Sequence, residues 1–323
     1  MTYKKYMTNP YRIGTRKSAL ALKQTDIVLK ALQKAHPDNI RIQNAEIIGI
    51  TTTGDQIQNK SLSKIGGKAL FVKEIEQALS DNQIDFGIHS LKDVEANLHP
   101  NFKLACVLER EIMNDVLITR DGQITGILDL KPQAVLGTCS PRRAAQLLEI
   151  CPDLQIVPLR GNILTRLSKF DEKEMDATVL AYAGLKRLDL VDDEGNLKGY
   201  PGLKACVLTL DEMIPAVGQG VLTVETLKTN QEVINLLSVI NHQETEMCIR
   251  AERAFLRELA GNCKTPIAAF CVLTPHQTLL LKAFYAPLSG MNSIRYEAVG
   301  TFNDPEELGI RVGKEIKRQT DDL

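Results

Sequence analysis

Four short segments concentrate the side chains that could do chemistry. "GTRKS" carries Arg16, Lys17 and Ser18; "GIHSLKD" carries His89, Ser90, Lys92 and Asp93; "GTCSPRR" carries Thr138, Ser140, Arg142 and Arg143; "LRGNILTR" carries Arg160 and Arg166. Each follows a strand-like run and leads toward a helix-like one, so backbone N–H groups, hydroxyls and guanidinium forks can bind an anion together. Arginine outnumbers lysine in them, which suits two-pronged recognition of carboxylate or phosphate. The sharpest case is "VLGTCSPRRAAQLLEI", where Arg142 and Arg143 fall in the first turn of a predicted helix. A helix N-terminus already bears partial positive charge, so two cations there call for an anion. Any one such turn has the plainer reading of a solvated helix face or a local salt bridge, which contributes little. Four at strand ends favour an anion-binding surface.

Two further residues stand out. Asp93 sits just past a buried strand among cationic turns, which favour its ionised form while burial opposes it. Spacing alone favours a structural partner for one of the arginines. Cys263, in "AGNCKTP", lies in a turn with Lys264 behind it. A thiol near a cation can be a nucleophile or an attachment point, and the plainer reading is a semi-buried loop cysteine. "GGKALF" lacks the length and the Ser/Thr of a phosphate-binding P-loop, and "AVGQG" is not GxGxxG, so a nucleotide phosphate is not indicated. Gly66 and Gly67 make a flexible loop in which Lys64 and Lys68 suit a lid over an anion.

The elements that must position these residues alternate between strand and helix. "YRIGT" reads as strand, and Ser18 caps a helix running to about His36. "IRIQNAEIIGI" reads as strand, "LFVKEIEQALSDNQ" as helix, and "IDFGIHS" as a strand whose regular part ends at Ile88. "DVLIT", "AVLGT", a helix from Pro141, "QIVPLR", a helix from Asn162 and "ATVLAY" continue the rhythm. Such alternation predicts α/β sheets covered by helices, with ligands at the carboxyl ends of the strands. From about residue 229 the pattern changes to a long helix, three strands ("PIAAFCVL", "TLLLKAFYA", "IRYEAVGTF") and a terminal helix from about Asp304. That is a separate α+β module. "EANLHPN" marks a crossing between domains.

Composition narrows the partners. The 39 Lys and Arg nearly balance the 40 Asp and Glu in 323 residues, so no global basic field recruits nucleic acid. The N-terminus has no apolar signal core and no run has the length of a membrane span, which gives a soluble, cytoplasmic chain. Seven cysteines without a CxxC pair argue against disulfides and a zinc knuckle, and the five histidines lack metal-ligand spacing, so no metal is expected.

In the order "RIGTRKSALAL", "TTTGD", "KIGGKALFVKEIE", "HSLKD", "GTCSPRR", "LRGN", "LAYAGLKRL", "IPAVGQG" and "GNCKTPI", over roughly residues 11 to 270, the chain resembles the porphobilinogen deaminase (hydroxymethylbilane synthase) family. The resemblance implies two periplasmic-binding-protein-like α/β domains, 10–108 with 209–228 and 109–208, and a smaller α+β domain, 229–323, carrying the cofactor cysteine. It implies a transferase of haem and tetrapyrrole biosynthesis that joins four porphobilinogen molecules head to tail with loss of ammonia. The reaction proceeds on a covalent dipyrromethane primer, and water releases hydroxymethylbilane. Asp93 is then the catalytic acid, protonating the departing amine and stabilising cationic azafulvene and pyrrole intermediates. Cys263 holds the primer by thioether, and Lys92, Ser140, Arg142, Arg143, Arg160, Arg166 and Arg187 bind cofactor. Arg16, Ser18, Lys64, Lys68, Phe71 and Gln219 bind substrate, and the protein is a monomer. Cys139, Pro141, Glu95 and Asn262 depart from the family pattern, Cys139 putting a weaker donor where a second Ser is usual. The alternative is a non-catalytic binding protein for a small anion, or an inactive paralogue. A binder needs neither Asp93 nor Cys263.

Overall fold

The computed structural model describes residues 9–56, 71–172, 174–260, 265–287 and 292–321. The chain forms two compact units, one from the residues up to Arg110 with Val221–Glu246, the other from Glu111–Gly220 with Met247–Leu323.

In the first unit the strands β1 (Arg12–Arg16), β2 (Glu46–Ile50), β3 (Phe86–Ser90) and β4 (Phe102–Val107) form one sheet with a late segment, Leu222–Leu227. The order is β2, β1, β3, the late strand, β4; β1 is parallel to both neighbours and the late strand antiparallel to both of its own. Helix α1 (Ala19–Ala35) begins where Ser18 accepts a hydrogen bond from the Ala21 N–H, the N-cap expected from sequence. Its buried Val28 and Leu32 share a core with Ile13, Phe86 and Val224. Helix α2 (Lys73–Ser80) has Ile75, Ala78 and Leu79 buried in a second cluster with Ile84 and Phe102. Gly87 permits the close approach of α2 and β3: a Cβ there would lie 2.4 Å from Ile75 Cγ2.

Two boundaries differ from the sequence reading. "IRIQNAEIIGI" is not one strand, because the Asn39 side chain accepts from the N–H groups of Arg41 and Ile42 and caps a helical turn at Ile40–Gln43 before β2 begins. The I-x-I alternation matched a strand over too few residues to outweigh that cap. His89 and Ser90 belong to β3 rather than the turn after it, because Leu222 and Thr223 of the late strand pair with them.

The second unit holds β5 (Asp115–Thr119), β6 (Val135–Gly137), β7 (Gln155–Val157), β8 (Ala177–Ala181) and β9 (Lys204–Val207) in the order β7, β6, β8, β5, β9. Helices α3 (Pro141–Ile150), α4 (Ile163–Glu172) and α5 (Tyr182–Arg187) follow β6, β7 and β8. The late strand of the first unit is β10 (Leu222–Leu227), and α6 (Gln231–Ser238) after it places Val233, Leu236 and Leu237 in that unit's core. Helix α7 (Gln243–Glu258) precedes a three-stranded antiparallel sheet, β11 (Ile267–Leu273), β12 (Thr278–Tyr285) and β13 (Ile294–Thr301), which α8 (Pro305–Asp321) follows. This sheet and α8 share a core with α7 through Ala251, Phe255, Leu281 and Val312. Two five-stranded α/β sheets carry Asp93 and the arginine-bearing turns, and a smaller α+β element follows them in the chain.

Candidate active site

In the first unit the site grows from the carboxyl ends of β1 and β3. Arg16 is the last residue of β1, and its guanidinium is held on three sides. Its Nε and Nη2 donate to the two carboxylate oxygens of Asp55, the Phe71 ring centroid lies 4.2 Å from its Cζ, and its Nη1 lies 3.8 Å from Asp93 Oδ2. Asp55 also accepts from the Thr52 hydroxyl at 2.7 Å. Burial pushes the Asp55 carboxyl up, but the bonds from Arg16 and Thr52 outweigh it and hold it below the usual carboxylate range. Asp55 is therefore held more readily as an anion and fixes Arg16, leaving one guanidinium nitrogen turned to Asp93.

Asp93 ends a 3-10 turn, Leu91–Asp93, that leaves β3 with Leu91 buried beneath it. Its side chain is 34% exposed, enough to be reached from solution. Ser90 accepts from the Gln24 amide at 2.8 Å, which ties this turn to α1. Arg16, Gln24, Phe71, His89, Ser90 and Asp93 line one small cavity. Ser18 caps α1, and Lys92 is exposed beside Asp93. Lys64 and Lys68 lie outside the described residues.

In the second unit Ser140 caps α3, accepting from the Arg143 N–H, and Pro141 takes the first helical position. Cys139 is half-buried before it. Arg142 and Arg143 are each 6% exposed, and both meet Asp115, the wholly buried first residue of β5. Arg142 Nη2 lies 2.7 Å from Asp115 Oδ2 and Arg143 Nη2 lies 2.7 Å from Oδ1. The Gln219 amide donates to Oδ1 at 3.0 Å and to the Met113 carbonyl at 2.7 Å. Burial alone would push Asp115 up, and the two guanidinium charges reverse it, holding the carboxyl far below its ordinary range.

The two arginines are not equivalent. Arg142 also donates through Nη1 to the Ile214 carbonyl at 2.7 Å. The side-chain polar partner of Arg143 among the described residues is Asp115, and its buried Nε has none. Two cations thus face one resident carboxylate, leaving one unbalanced positive charge and unused donor capacity on Arg143.

Arg166 Nε donates to the Gly161 carbonyl at 2.7 Å, in the turn that also carries Arg160. Arg187 ends α5, with Nη2 donating to the Gly220 carbonyl at 2.6 Å. Cys263 lies outside the described residues. Asp55 and Asp115 carry the geometry and were not singled out from sequence. Asp115 left one signal, a carboxylate heading the apolar run "DVLIT". Among the described residues no three His, Cys, Asp or Glu side chains gather to hold a metal, and no described helix is long and apolar enough to cross a membrane.

Removing one partner of a buried charge group costs about 3–5 kcal/mol, so Asp115→Asn should lower the thermal or denaturant midpoint strongly. Because the folded carboxyl lies below the unfolded one, its stabilisation is complete above the ordinary carboxylate range and is lost as pH falls through the folded value. The gap between wild type and Asp115→Asn should be constant from about pH 6 to 8 and close on acidification; equal midpoints throughout would remove Asp115 from this role.

Two family descriptions match the chain: "Porphobilinogen deaminase, dipyromethane cofactor binding domain" over residues 11–235, and "Porphobilinogen deaminase, C-terminal domain" over 246–318. Curated relatives named porphobilinogen deaminase include that of Staphylococcus carnosus, 40% identical over 95% of this chain and 94% of its own. That of Carboxydothermus hydrogenoformans is 41% identical over 94% and 92%, and that of Rickettsia bellii 41% over 95% and 98%. Among solved structures, the VFT2 domain of Bordetella pertussis BvgS aligns with a TM-score of 0.43 at 13% identity, over 73% of this chain and 88% of that one.

Proposed function

The chain belongs to the porphobilinogen deaminase family, and from that premise we propose that Asp93 is its acid–base group, Cys263 the cofactor's point of attachment, and its strand-end arginines the receptors for pyrrole carboxylates. The reaction condenses four porphobilinogen molecules head to tail with release of ammonia and ends in hydroxymethylbilane. The bound dipyrromethane supplies the pyrrole carbon that accepts the first unit, together with its own carboxylates.

The observation that carries the reading is Asp93, a reachable carboxyl at a strand end, 3.8 Å from a guanidinium that Asp55 and Phe71 hold still. Loss of ammonia needs a proton at the departing amine and a negative group beside the positive charge that develops. Asp93 can do both: it gives its proton to the nitrogen as the carbon–nitrogen bond breaks, and as carboxylate it faces the cation. When a new carbon–carbon bond forms and the attacking ring carbon sheds its proton, the same oxygen can take it back. Arg16, presenting Nη1 to this spot, can also meet a substrate carboxylate. Ser18, Phe71 and Gln219 complete the substrate contacts of this reading, with Lys64 and Lys68 as further substrate-binding residues.

The surplus positive charge at Arg142, Arg143 and Asp115 supports the assignment of that group to a cofactor carboxylate, with Ser140, Lys92, Arg160, Arg166 and Arg187 as further receptors. We also propose a cytoplasmic monomer without a nucleic-acid partner, the last supported by the balance of 39 basic and 40 acidic residues. Intact mass tests the main reading. Purified protein should exceed its sequence mass by two pyrrole units; turnover by protein of bare sequence mass would overturn the reading.

The asymmetry of the arginine pair yields a separate prediction. Arg143→Leu removes the guanidinium whose Nε has no partner, so primer retention or elongation should weaken by roughly 10- to 10²-fold, the worth of one charged hydrogen-bond group. Arg142→Leu removes the cation at Asp115 Oδ2 and one donor to the Ile214 carbonyl, so its main effect should be a lowered melting temperature. Mass spectrometry after brief exposure to porphobilinogen, beside thermal melts, separates the two. If both variants elongate normally, the pair is structural.

A further inference from the structure

Beneath the turn that carries Asp93 lies a second group of ionisable side chains that the reaction scheme leaves unused. His89, next to last in β3, and Glu225 of β10 point to the same face of the sheet, because Glu225 pairs with Gly87 and Thr223 with His89. His89 Nε2 lies 3.1 Å from Glu225 Oε2, and the two side chains are 3% and 0% exposed. Glu225 Oε1 is buried without a hydrogen-bond partner. The absent side chain of Gly87 leaves the room: a Cβ there would sit 3.4 Å from His89 Nε2. Helix α2 covers this face and turns half-buried Glu76 toward the pair, and Glu95 adds a further carboxylate field. His89 also lines the small cavity with Asp93 and Arg16.

We propose that His89 is a positioning residue for the Asp93 turn: its bond to Glu225 anchors the end of β3 from which the turn leaves, and the net charge of His89, Glu225 and Glu76 acts on the cavity where Asp93 and Arg16 meet. This rests on the reading of Asp93 as the acid. A hydrogen-bonded pair whose carboxylate is wholly buried is costly to build, and such a polar pair between neighbouring strands fixes one register and one strand end. Its charge is also adjustable near neutrality. Burial, then repulsion from Glu225, pushes Glu76 up to about 7, with Glu95 adding to the rise and His89 opposing it. Ionisation of Glu76 therefore adds one negative charge behind a site where positive charge develops on the substrate, which stabilises the transition state.

The test uses the full chain with its cofactor attached, followed as turnover against pH. Wild-type turnover should rise roughly three- to tenfold through an ionisation near pH 7, and Glu76→Gln should lose that rise. His89→Gln keeps a donor for Glu225 but can carry no charge; its kcat should fall about tenfold with KM unchanged, and the ionisation of Glu76 should move upward as the opposing influence of His89 is lost. Should His89→Gln fail to fold, Glu76→Gln still tests the charge behind the cavity, and a rise near pH 7 retained in that variant overturns it. Stability gives a second readout: the folded state holds the Glu76 proton more tightly than the unfolded chain, so wild-type stability falls as pH climbs from the ordinary carboxylate range to about 7. Glu76→Gln should abolish that fall and melt higher above pH 7. Profiles of Glu76→Gln and His89→Gln that superimpose on wild type, with Asp93→Asn inactive, overturn the role of His89. An active Asp93→Asn overturns the reading on which it rests.

Discussion

Asp93→Asn is expected to fold normally, carry two pyrrole units and turn over at least about 10²- to 10⁴-fold more slowly than wild type. The substitution keeps the volume of the side chain and removes both the transferable proton and the negative charge. Stability should change little, because Asp93 is a third exposed and its contact with Arg16 is long at 3.8 Å, while Arg16 keeps Asp55 and Phe71. The loss should lie in kcat, since the proton and the charge matter when the carbon–nitrogen bond breaks and not when substrate docks. Steady-state kinetics beside a thermal melt decides it. Near-normal turnover would return Asp93 to the role of a structural partner for Arg16.

Cys263→Ser should abolish activity altogether and leave protein of unmodified mass. Near neutral pH a cysteine supplies a useful fraction of thiolate, whereas a serine hydroxyl without a partnering base supplies almost no alkoxide. The other cysteines offer no substitute: Cys106, Cys248 and Cys271 are buried, and burial pushes the Cys106 thiol up to about 12. Cys151 and Cys206 are also raised, by burial and by neighbouring carboxylates. Cys139 is half-buried in the turn before α3, and Cys139→Ser should retain the primer. Intact mass of both variants settles the assignment, and a primer retained by Cys263→Ser removes it.

Local sequence determined much of what is needed here. Ser18 and Ser140 before apolar-periodic runs set two helix starts, because an N-cap hydroxyl satisfies N–H groups that nothing else nearby can. Alternating strand and helix periods set the class of the two sheets, and the late run of three strands set the α+β element, since the pattern of burial is written into residue spacing. The arginine-bearing turns were legible for the same reason. What those arginines touch was not. Asp115 meets Arg143 across 28 residues of chain, and Arg16 finds Asp55 across 39. His89 finds Glu225 across 136 residues, a pairing made only when β10 inserts beside β3. Spacing reports which face of its own element a side chain occupies, but not which distant element will cover that face. The sequence therefore showed where positive charge gathers, and only the tertiary structure decided how much of it is already neutralised. At Arg16 a resident carboxylate holds the guanidinium in place; at Arg142 and Arg143 one buried carboxylate is shared by two cations.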